Sequence, residues 1–316
     1  MYKLIPHYQD YLWGGTKLKT EYNKKTSLPI VAESWELSTH PAGTCYIDIN
    51  HHQIPLTDYL TMSGKNVLGS KSLYPDQLSI LIKLIDAKKD LSIQVHPDDT
   101  YAQLHENDLG KTEMWYVLEA EPDARLIYGF KKDLTLQDFE EAIESNTLID
   151  HLNAIPVQSG NAFLITPGTI HAIGKDILIA EIQQSSNVTY RVYDYGRLDA
   201  NGNPRALHTQ QAKEVTNLTK TEHTYLPYTM TAYKGYSMGL LTQCDYFQVH
   251  RIDLKEEITL EATDESFHSL LITSGEVEIF NHDTSLTVHK GESVFVPANE
   301  GIYHIKGIGT LLLSTI

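Results

Sequence analysis

Short strand-like runs dominate this chain, and they constrain its fold more than any other feature of the sequence. The runs are rich in Ile, Val, Leu, Tyr and Thr, and Gly, Pro, Asn and Asp separate them. After about residue 228 the pattern is almost purely strand. The predicted strands are 78–85, 91–95, 115–118, 125–128, 162–166, 177–182, 189–193, 247–254, 269–273, 277–280, 293–296 and 310–314. Many short strands of this kind are typical of antiparallel barrels.

Helices are few in this pattern. One is predicted to start at Thr135, because apolar Leu136, Phe139 and Ile143 follow at helical spacing. A second is predicted over 209–215. Both would be excursions from a mainly β fold.

A chain of 316 residues is long enough for two domains. A Thr- and Pro-rich segment, 219–227, precedes the strand-only part, so we predict domains at 1–228 and 229–316. A weak internal repeat supports this division, since Gly160–Pro167 and Gly291–Pro297 both read as a Gly turn, a strand and a Pro. The predicted fold is a double cupin, that is, two jelly-roll barrels with a small helical excursion.

The charge balance narrows the range of partners. The chain has 25 Lys and Arg against 41 Asp and Glu, a formal net charge of −16. Nucleic acid and membrane surfaces are therefore not expected, and an anionic substrate would need a local basic pocket. Cys45 and Cys244 lie far apart, and no run of 18 apolar residues occurs, so the chain is expected in the reducing cytoplasm.

The strongest candidate site contains Gln94, His96, Glu113 and His171. Gln94 and His96 are two residues apart on a predicted strand and therefore point to the same face. Glu113 begins the next strand, and His171 follows a turn that would direct its imidazole into the barrel. Two imidazoles, a carboxylate and an amide oxygen suit a borderline divalent metal such as zinc.

A second set of candidates is basic. Lys83 lies inside an apolar strand, Lys111 precedes Glu113 by two residues, and Arg191 lies in the strand 189–193. Apolar neighbours on both sides of Lys83 and Arg191 indicate burial, and a buried cation requires an anion. A phosphate or an enediolate would serve.

These residues resemble type I mannose-6-phosphate isomerase, or phosphomannose isomerase, in its short bacterial form. The matching segments run in family order over residues 13–195. They are Trp13–Gly15, Glu33–Ser38, Leu91–Asp99, Gly110–Trp115, Pro167–Gly174 and Gln183–Tyr195. Gln-Val-His-Pro-Asp-Asp and Lys-Thr-Glu together make the match specific, whereas the C-terminal part adds only length and strand pattern.

The resemblance implies one Zn²⁺ per chain and assigns roles to the candidate residues. The metal ligands would be Gln94, His96, Glu113 and His171. Arg191 and Lys111 would be catalytic, and Lys83 and Ser92 would bind substrate. The second barrel is expected to hold no catalytic metal, because His268 stands where the family's metal glutamate would be.

The implied reaction is the interconversion of mannose 6-phosphate and fructose 6-phosphate through a cis-enediolate. Lys111, a water on the metal and a carboxylate all remain candidates for the base. In some longer members a His precedes the lysine that corresponds to Lys111, and here Gly110 takes that place. A ring-opening role for that His therefore does not carry over.

Two other functions remain open at this point. His96, Glu113 and His171 also form a 2-His-1-carboxylate set, which an iron(II) cupin dioxygenase would use. Gln94 and the basic residues count against that alternative. The other alternative is a non-catalytic sugar-binding double cupin, and the presence of every expected site residue counts against it. The sequence leaves the oligomeric state open.

Overall fold

Strands make up most of the secondary structure in the computed structural model, which describes residues 1–49, 52–198, 202–222 and 225–316. The strands are β1 Tyr2–Ile5, β2 His7–Gln9, β3 Glu33–Leu37, β4 Thr39–His40, β5 Gly43–Thr44, β6 Tyr46–Ile49, β7 His52–Pro55, β8 Ile80–Ala87, β9 Ile93–Val95, β10 Glu113–Ala120, β11 Arg125–Phe130, β12 Leu152–Pro156, β13 Ala162–Ile165, β14 His171–Ile173, β15 Ile177–Gln184, β16 Tyr190–Tyr193, β17 Thr231–Tyr233, β18 Tyr236–Gln243, β19 Gln248–Leu254, β20 Glu257–Ala262, β21 His268–Phe280, β22 Ser285–His289, β23 Ser293–Val296 and β24 Gly301–Thr315. The helices are α1 Lys17–Thr20, α2 Leu56–Ser63, α3 Asp99–His105, α4 Leu136–Glu144 and α5 Thr209–Val215, with 3₁₀ turns at Lys65–Val67 and Leu148–His151. The predicted fold class, a mainly β double cupin with a small helical excursion, is confirmed.

The chain divides into two compact units. Unit 1 contains residues 1–9, 16–84 and 227–316, and unit 2 contains residues 10–15 and 85–226. The change of unit at 226/227 lies next to the predicted boundary at 228, within a segment whose residues 223 and 224 are outside the described ranges. The first part of the chain, however, clusters with the C-terminal strands. That 1–228 forms the catalytic domain stays a prediction.

Unit 1 is built on one large antiparallel sheet. Its strands lie in the order β17-β18-β19-β24-β21-β23-β1-β6-β7, with β20 paired to β24 and β22 to β21. Buried aliphatic side chains from these strands form its core, among them Ile252, Ile279, Val294 and Ile305. The predicted strands 269–273 and 277–280 are one strand, β21, which passes through Gly275 at φ +77° with a register shift after Ile272. Long pairing with β24 keeps that segment in one strand, so the predicted break between the two strands is wrong.

Unit 2 carries two sheets. One contains β12-β11-β14-β9-β16 in that order, and the other contains β13-β10-β15. Side chains alternate across a strand, so one face of the first sheet packs its apolar residues against α4 and α5. Val95, Tyr190 and Ala172 form this layer with Phe139 and Ala212 of the helices. The residues between them in sequence face the other way, toward the second sheet.

Both predicted helices are present in unit 2. Thr135 caps α4 through a capping box, because its side chain accepts a hydrogen bond from the Asp138 amide and Asp138 accepts one from the Thr135 amide. α5 has the predicted bounds, Thr209–Val215. Within the described ranges, none of the helices is long and apolar enough to cross a membrane.

Candidate metal centre

Three neighbouring strands of unit 2 place predicted site residues in one row. Gln94 in β9 is the direct cross-strand partner of His171 in β14 and of Arg191 in β16. Directly opposite residues project from the same face of a sheet, so these side chains all point away from the helices. His171 begins β14 just after the turn at Pro167 and Gly168, so it follows a turn as the sequence indicated. His96 follows β9 and points to the same face as Gln94.

The second sheet of unit 2 supplies the carboxylate. Glu113 begins β10, and its Oε1 lies 3.2 Å from Nε2 of His96, while its Oε2 lies 3.8 Å from Nε2 of His171. All three residues are fully buried, and their ligand atoms lie within 4.8 Å of one another. Three separate sequence segments therefore converge on one volume. The described residues contain this one group of three His, Cys, Asp or Glu side chains with metal-binding spacing.

Hydrogen bonds orient the imidazole of His171. Its Nδ1 lies 2.8 Å from the carbonyl oxygen of Thr169. A carbonyl only accepts, so Nδ1 carries the proton and Nε2 presents a lone pair toward Glu113. Gln94 Nε2 and His171 Nε2 are 3.4 Å apart, so the amide of Gln94 reaches the same volume. Rotating that amide by a half turn would present its oxygen as a fourth donor.

Burial and charge set the protonation states of the donors. Burial, reinforced by the Lys111 ammonium, lowers the pKa of His96 to about 3. Burial also lowers the pKa of His171. For Glu113, burial alone would raise the pKa, but Lys111 and His96 outweigh it and hold the pKa well below its usual value. At neutral pH the cluster therefore offers two neutral imidazoles and one carboxylate, the protonation states that metal binding requires. These donors fit a divalent metal ion.

Lys111 adds a positive charge at the edge of the cluster. Its Nζ lies 2.7 Å from Oε1 of Glu113 and 3.4 Å from Nε2 of His96. The side chain of Lys111 is 5% exposed, and the carboxylate that neutralises it is fully buried. The sequence placed Lys111 near Glu113 only through their spacing of two residues, and the structure brings their charged groups into contact.

Arg191 and Ser92 are also brought together. Arg191 donates from Nε to Oγ of Ser92 at 3.3 Å and from Nη1 to the carbonyl oxygen of Ala206 at 2.9 Å. Arg191 is only partly buried, contrary to the expected burial, although that partial burial lowers the pKa of its guanidinium. Its backbone amide donates to Nδ1 of His208, so the strand and the following loop both hold it.

Lys83 belongs to unit 1 and is buried as expected. Its Nζ lies 3.4 Å from Oε2 of Glu33 and 5.1 Å from the centre of the Trp35 ring. Trp35 donates from Nε1 to the same carboxylate oxygen at 2.8 Å. Lys83 thus has an acidic partner inside its own unit.

Comparison with known proteins identifies the family. The models described as phosphomannose isomerase type I, catalytic domain, and mannose-6-phosphate isomerase, cupin domain, match residues 1–128 and 237–316. The probable mannose-6-phosphate isomerase GmuF of Bacillus subtilis (strain 168) is 34% identical, and the match covers 98% of this chain and 98% of that protein. The chain belongs to the type I phosphomannose isomerase family.

Other relatives match this phosphomannose isomerase family member over nearly its full length. The mannose-6-phosphate isomerase ManA of B. subtilis (strain 168) is 31% identical over 98% of this chain and 96% of that protein. A crystal structure of the mannose 6-phosphate isomerase from B. subtilis superposes with a TM-score of 0.92 at 33% identity, covering 100% of this chain and 99% of that one. A putative mannosephosphate isomerase from Archaeoglobus fulgidus shares the fold, with a TM-score of 0.80 at 21% identity, covering 99% of this chain and 97% of that one.

The centre of this family member also contains Glu181, which the sequence analysis missed. Glu181 lies in β15, is buried, and accepts a hydrogen bond from Nε1 of Trp115 at 2.9 Å. The same Nε1 lies 3.1 Å from Oε2 of Glu113, so Trp115 links the two carboxylates. The sequence feature that could have indicated Glu181 is the presence of a charged residue inside the apolar run 177–182.

Proposed function

We propose that this protein interconverts mannose 6-phosphate and fructose 6-phosphate through a cis-enediolate, with one zinc ion per chain. The observation that carries the proposal is the buried cluster of His96, Glu113 and His171, in a member of the type I phosphomannose isomerase family. Its relative ManA is named a mannose-6-phosphate isomerase, and GmuF is named a probable one.

We assign the zinc ligands to Gln94, His96, Glu113 and His171. The assignment of Gln94 as a ligand rests on its position opposite His171 in the sheet. When bound, the ion supplies a Lewis acid that polarises a sugar carbonyl oxygen. The donor set would leave it a net positive charge, because Glu113 is the one anionic ligand among the four.

The chain's own residues would stabilise the negative charge of the enediolate and transfer the proton. Isomerisation of the open-chain sugar removes the C2 proton, forms a C1–C2 enediolate and returns a proton to C1, with no net oxidation. Arg191 would stabilise the enediolate oxygens, since Ser92 and the Ala206 carbonyl orient its guanidinium. Lys111, held beside Glu113, is assigned to the proton transfer. Lys83 and Ser92 are assigned to substrate binding.

The two alternatives from the sequence are weaker. An iron(II) dioxygenase would use the same His96, Glu113 and His171 set, but family membership favours the isomerase. A non-catalytic sugar-binding cupin would not require Lys111 to be buried against the carboxylate. The predicted cytoplasmic location, the sugar phosphate substrate and the expected absence of nucleic-acid and membrane partners stay predictions.

Isomerisation in D₂O, followed by NMR, tests the proposal. Purified zinc-loaded protein should convert mannose 6-phosphate to fructose 6-phosphate and place solvent deuterium at C1 of the product, because the base holds the abstracted proton while the enediolate exists and exchanges it with D₂O. Conversion without any deuterium would contradict the enediolate route. No conversion, together with sugar-dependent oxygen consumption by the iron-loaded protein, would favour the dioxygenase.

A further inference from the structure

The peptide segment that carries Lys111 is held by groups that have no assigned role so far. The Gly110 amide donates to Oδ1 of Asp99 at 2.8 Å. The Lys111 amide donates to the carbonyl oxygen of Pro97 at 3.0 Å. The Thr112 amide donates to Oε1 of Gln184 at 2.9 Å. Three consecutive amides are therefore fixed just before Glu113.

Gln184 and Asp99 act together in this arrangement. Gln184 is 2% exposed, and its Nε2 donates to Oδ1 of Asp99 at 2.8 Å while its Oε1 accepts from Thr112. The orientation of the amide is determined by its partners, because an ionised carboxylate only accepts and a backbone amide only donates. The residue at position 184 must therefore have the length of glutamine and offer both a hydrogen-bond donor and a hydrogen-bond acceptor.

Gly110 brings the segment unusually close to Asp99. A Cβ atom at position 110 would lie 2.4 Å from the Asp99 amide nitrogen and 2.5 Å from the Asp98 carbonyl carbon. Both contacts are to backbone, which cannot move aside without shifting the start of α3. The close approach lets the carboxylate of Asp99 reach the Gly110 amide and Gln184 at once.

We propose that Gln184 and Asp99 are positioning residues that hold the Lys111 ammonium at the metal centre. This inference rests on the proposed isomerase function, in which Lys111 moves the proton. The Lys111 side chain is long and has four rotatable bonds, so a fixed peptide on both sides limits where Nζ reaches. Glu113 does not depend on the same clamp, since β10 pairs it with Ile165 and Gln183 on either side.

The Gln184→Glu substitution tests the clamp. It keeps the size of the side chain but turns the donor into a carboxylate that faces Asp99. Displacing a catalytic group by about 1 Å costs about 100-fold in rate, so we expect kcat to fall about 10- to 100-fold while KM changes less than about threefold. Zinc per chain should stay the same. The matched control is Gln103→Glu, because Gln103 is exposed on α3 and donates to Asn107.

A double variant gives the conservative rescue. Asp99→Asn combined with Gln184→Glu restores one donor and one carboxylate in reversed order, but the side chain at position 99 must turn, because Oδ1 of Asp99 accepts from both the Gly110 amide and Gln184. The pair should therefore regain part of the lost kcat and part of the slow amide hydrogen exchange in the segment 110–112. Should Gln184→Glu not fold, Gln184→Met removes the same hydrogen bonds without adding charge.

The Lys111→Ala background separates positioning from general stability. If Gln184 acts through Lys111, Gln184→Glu adds no further loss of kcat in that background. An equal loss in both backgrounds, or a lower zinc content in Gln184→Glu, would overturn the inference. A wild-type protein without isomerase activity would instead overturn the proposed function and the catalytic role of Lys111, and the hydrogen-exchange comparison would still decide whether Gln184 and Asp99 clamp the segment.

Discussion

At the scale of single residues, burial decides what the metal centre can bind. His96 and Glu113 are at most 1% exposed, so bulk solvent has little access to their donor atoms. The hydrogen bond from His171 to Thr169 selects the nitrogen that faces Glu113. The residue types were readable in the sequence, but the tautomer and the Lys111 contact were not, because both depend on groups brought together by folding.

Replacing His171 by Ala should remove zinc and activity together. The substitution deletes one of three close donors, so we expect zinc affinity to fall by more than about 100-fold. The fold should persist, because β14 keeps its pairing with β11 and β9. Zinc content, isomerase rate and circular dichroism of the variant measure this. His282→Ala, whose side chain is 98% exposed, is the control and should behave as wild type. An unfolded His171→Ala protein would point to a structural role.

Replacing Arg191 by Ala should lower kcat about 100- to 1000-fold and raise KM far less, because the enediolate charge exists only near the transition state. Arg191→Lys should restore little, since an ammonium cannot reproduce the planar guanidinium that meets both Ser92 and Ala206. Steady-state kinetics of both variants measure this, with exposed Arg125→Ala as the control. A loss confined to KM would instead indicate that Arg191 holds the phosphate.

At the scale of elements, the pattern of apolar residues explains why β9 was predicted and why the helices α3 and α2 were missed. β9 reads Ile93, Gln94, Val95, with apolar residues toward the helices and Gln94 toward the centre. The period of two therefore predicted the strand and the direction of the Gln94 side chain. α3 was missed because it buries only Ala102 and shows no apolar repeat, although Asp98 caps it. α2 was missed because it follows Pro55 without a side-chain cap.

β21 and β24 in unit 1 contain a pH-sensitive contact. His268 in β21 lies 2.7 Å from the hydroxyl of Tyr303 in β24, and burial lowers its pKa to about 4. Below pH 6.5 the unfolded chain binds a proton that the folded chain does not, so this group lowers stability as the pH falls toward 4. The loss is at most about 3 kcal/mol.

The His268→Gln variant isolates that contribution. Glutamine keeps an acceptor for Tyr303 but does not titrate, so the variant should lose less stability than the wild type between pH 6.5 and 4.5. Urea unfolding across this range measures the difference. Parallel stability curves for the two proteins would show that His268 has the same pKa in the folded and unfolded states.

At the scale of the whole molecule, the basic candidate residues are local exceptions to an acidic composition. The chain carries a net charge of −16, yet Lys111 and Lys83 are buried beside carboxylates and Arg191 is only partly exposed. Composition predicted that an anionic substrate would need such a pocket. It did not predict the two units, because the N-terminal strands β1, β6 and β7 join the sheet of the C-terminal strands through contacts distant in sequence.

Zinc titration of the metal-free protein, with the rate of fructose 6-phosphate formation as readout, tests the link between this centre and catalysis. The rate should rise in proportion to added zinc and level off at one ion per chain, because one buried set of donors serves the reaction. The same titration of His171→Ala should give no rise. Full activity in the metal-free protein, or a plateau at two ions per chain, would contradict the proposed centre.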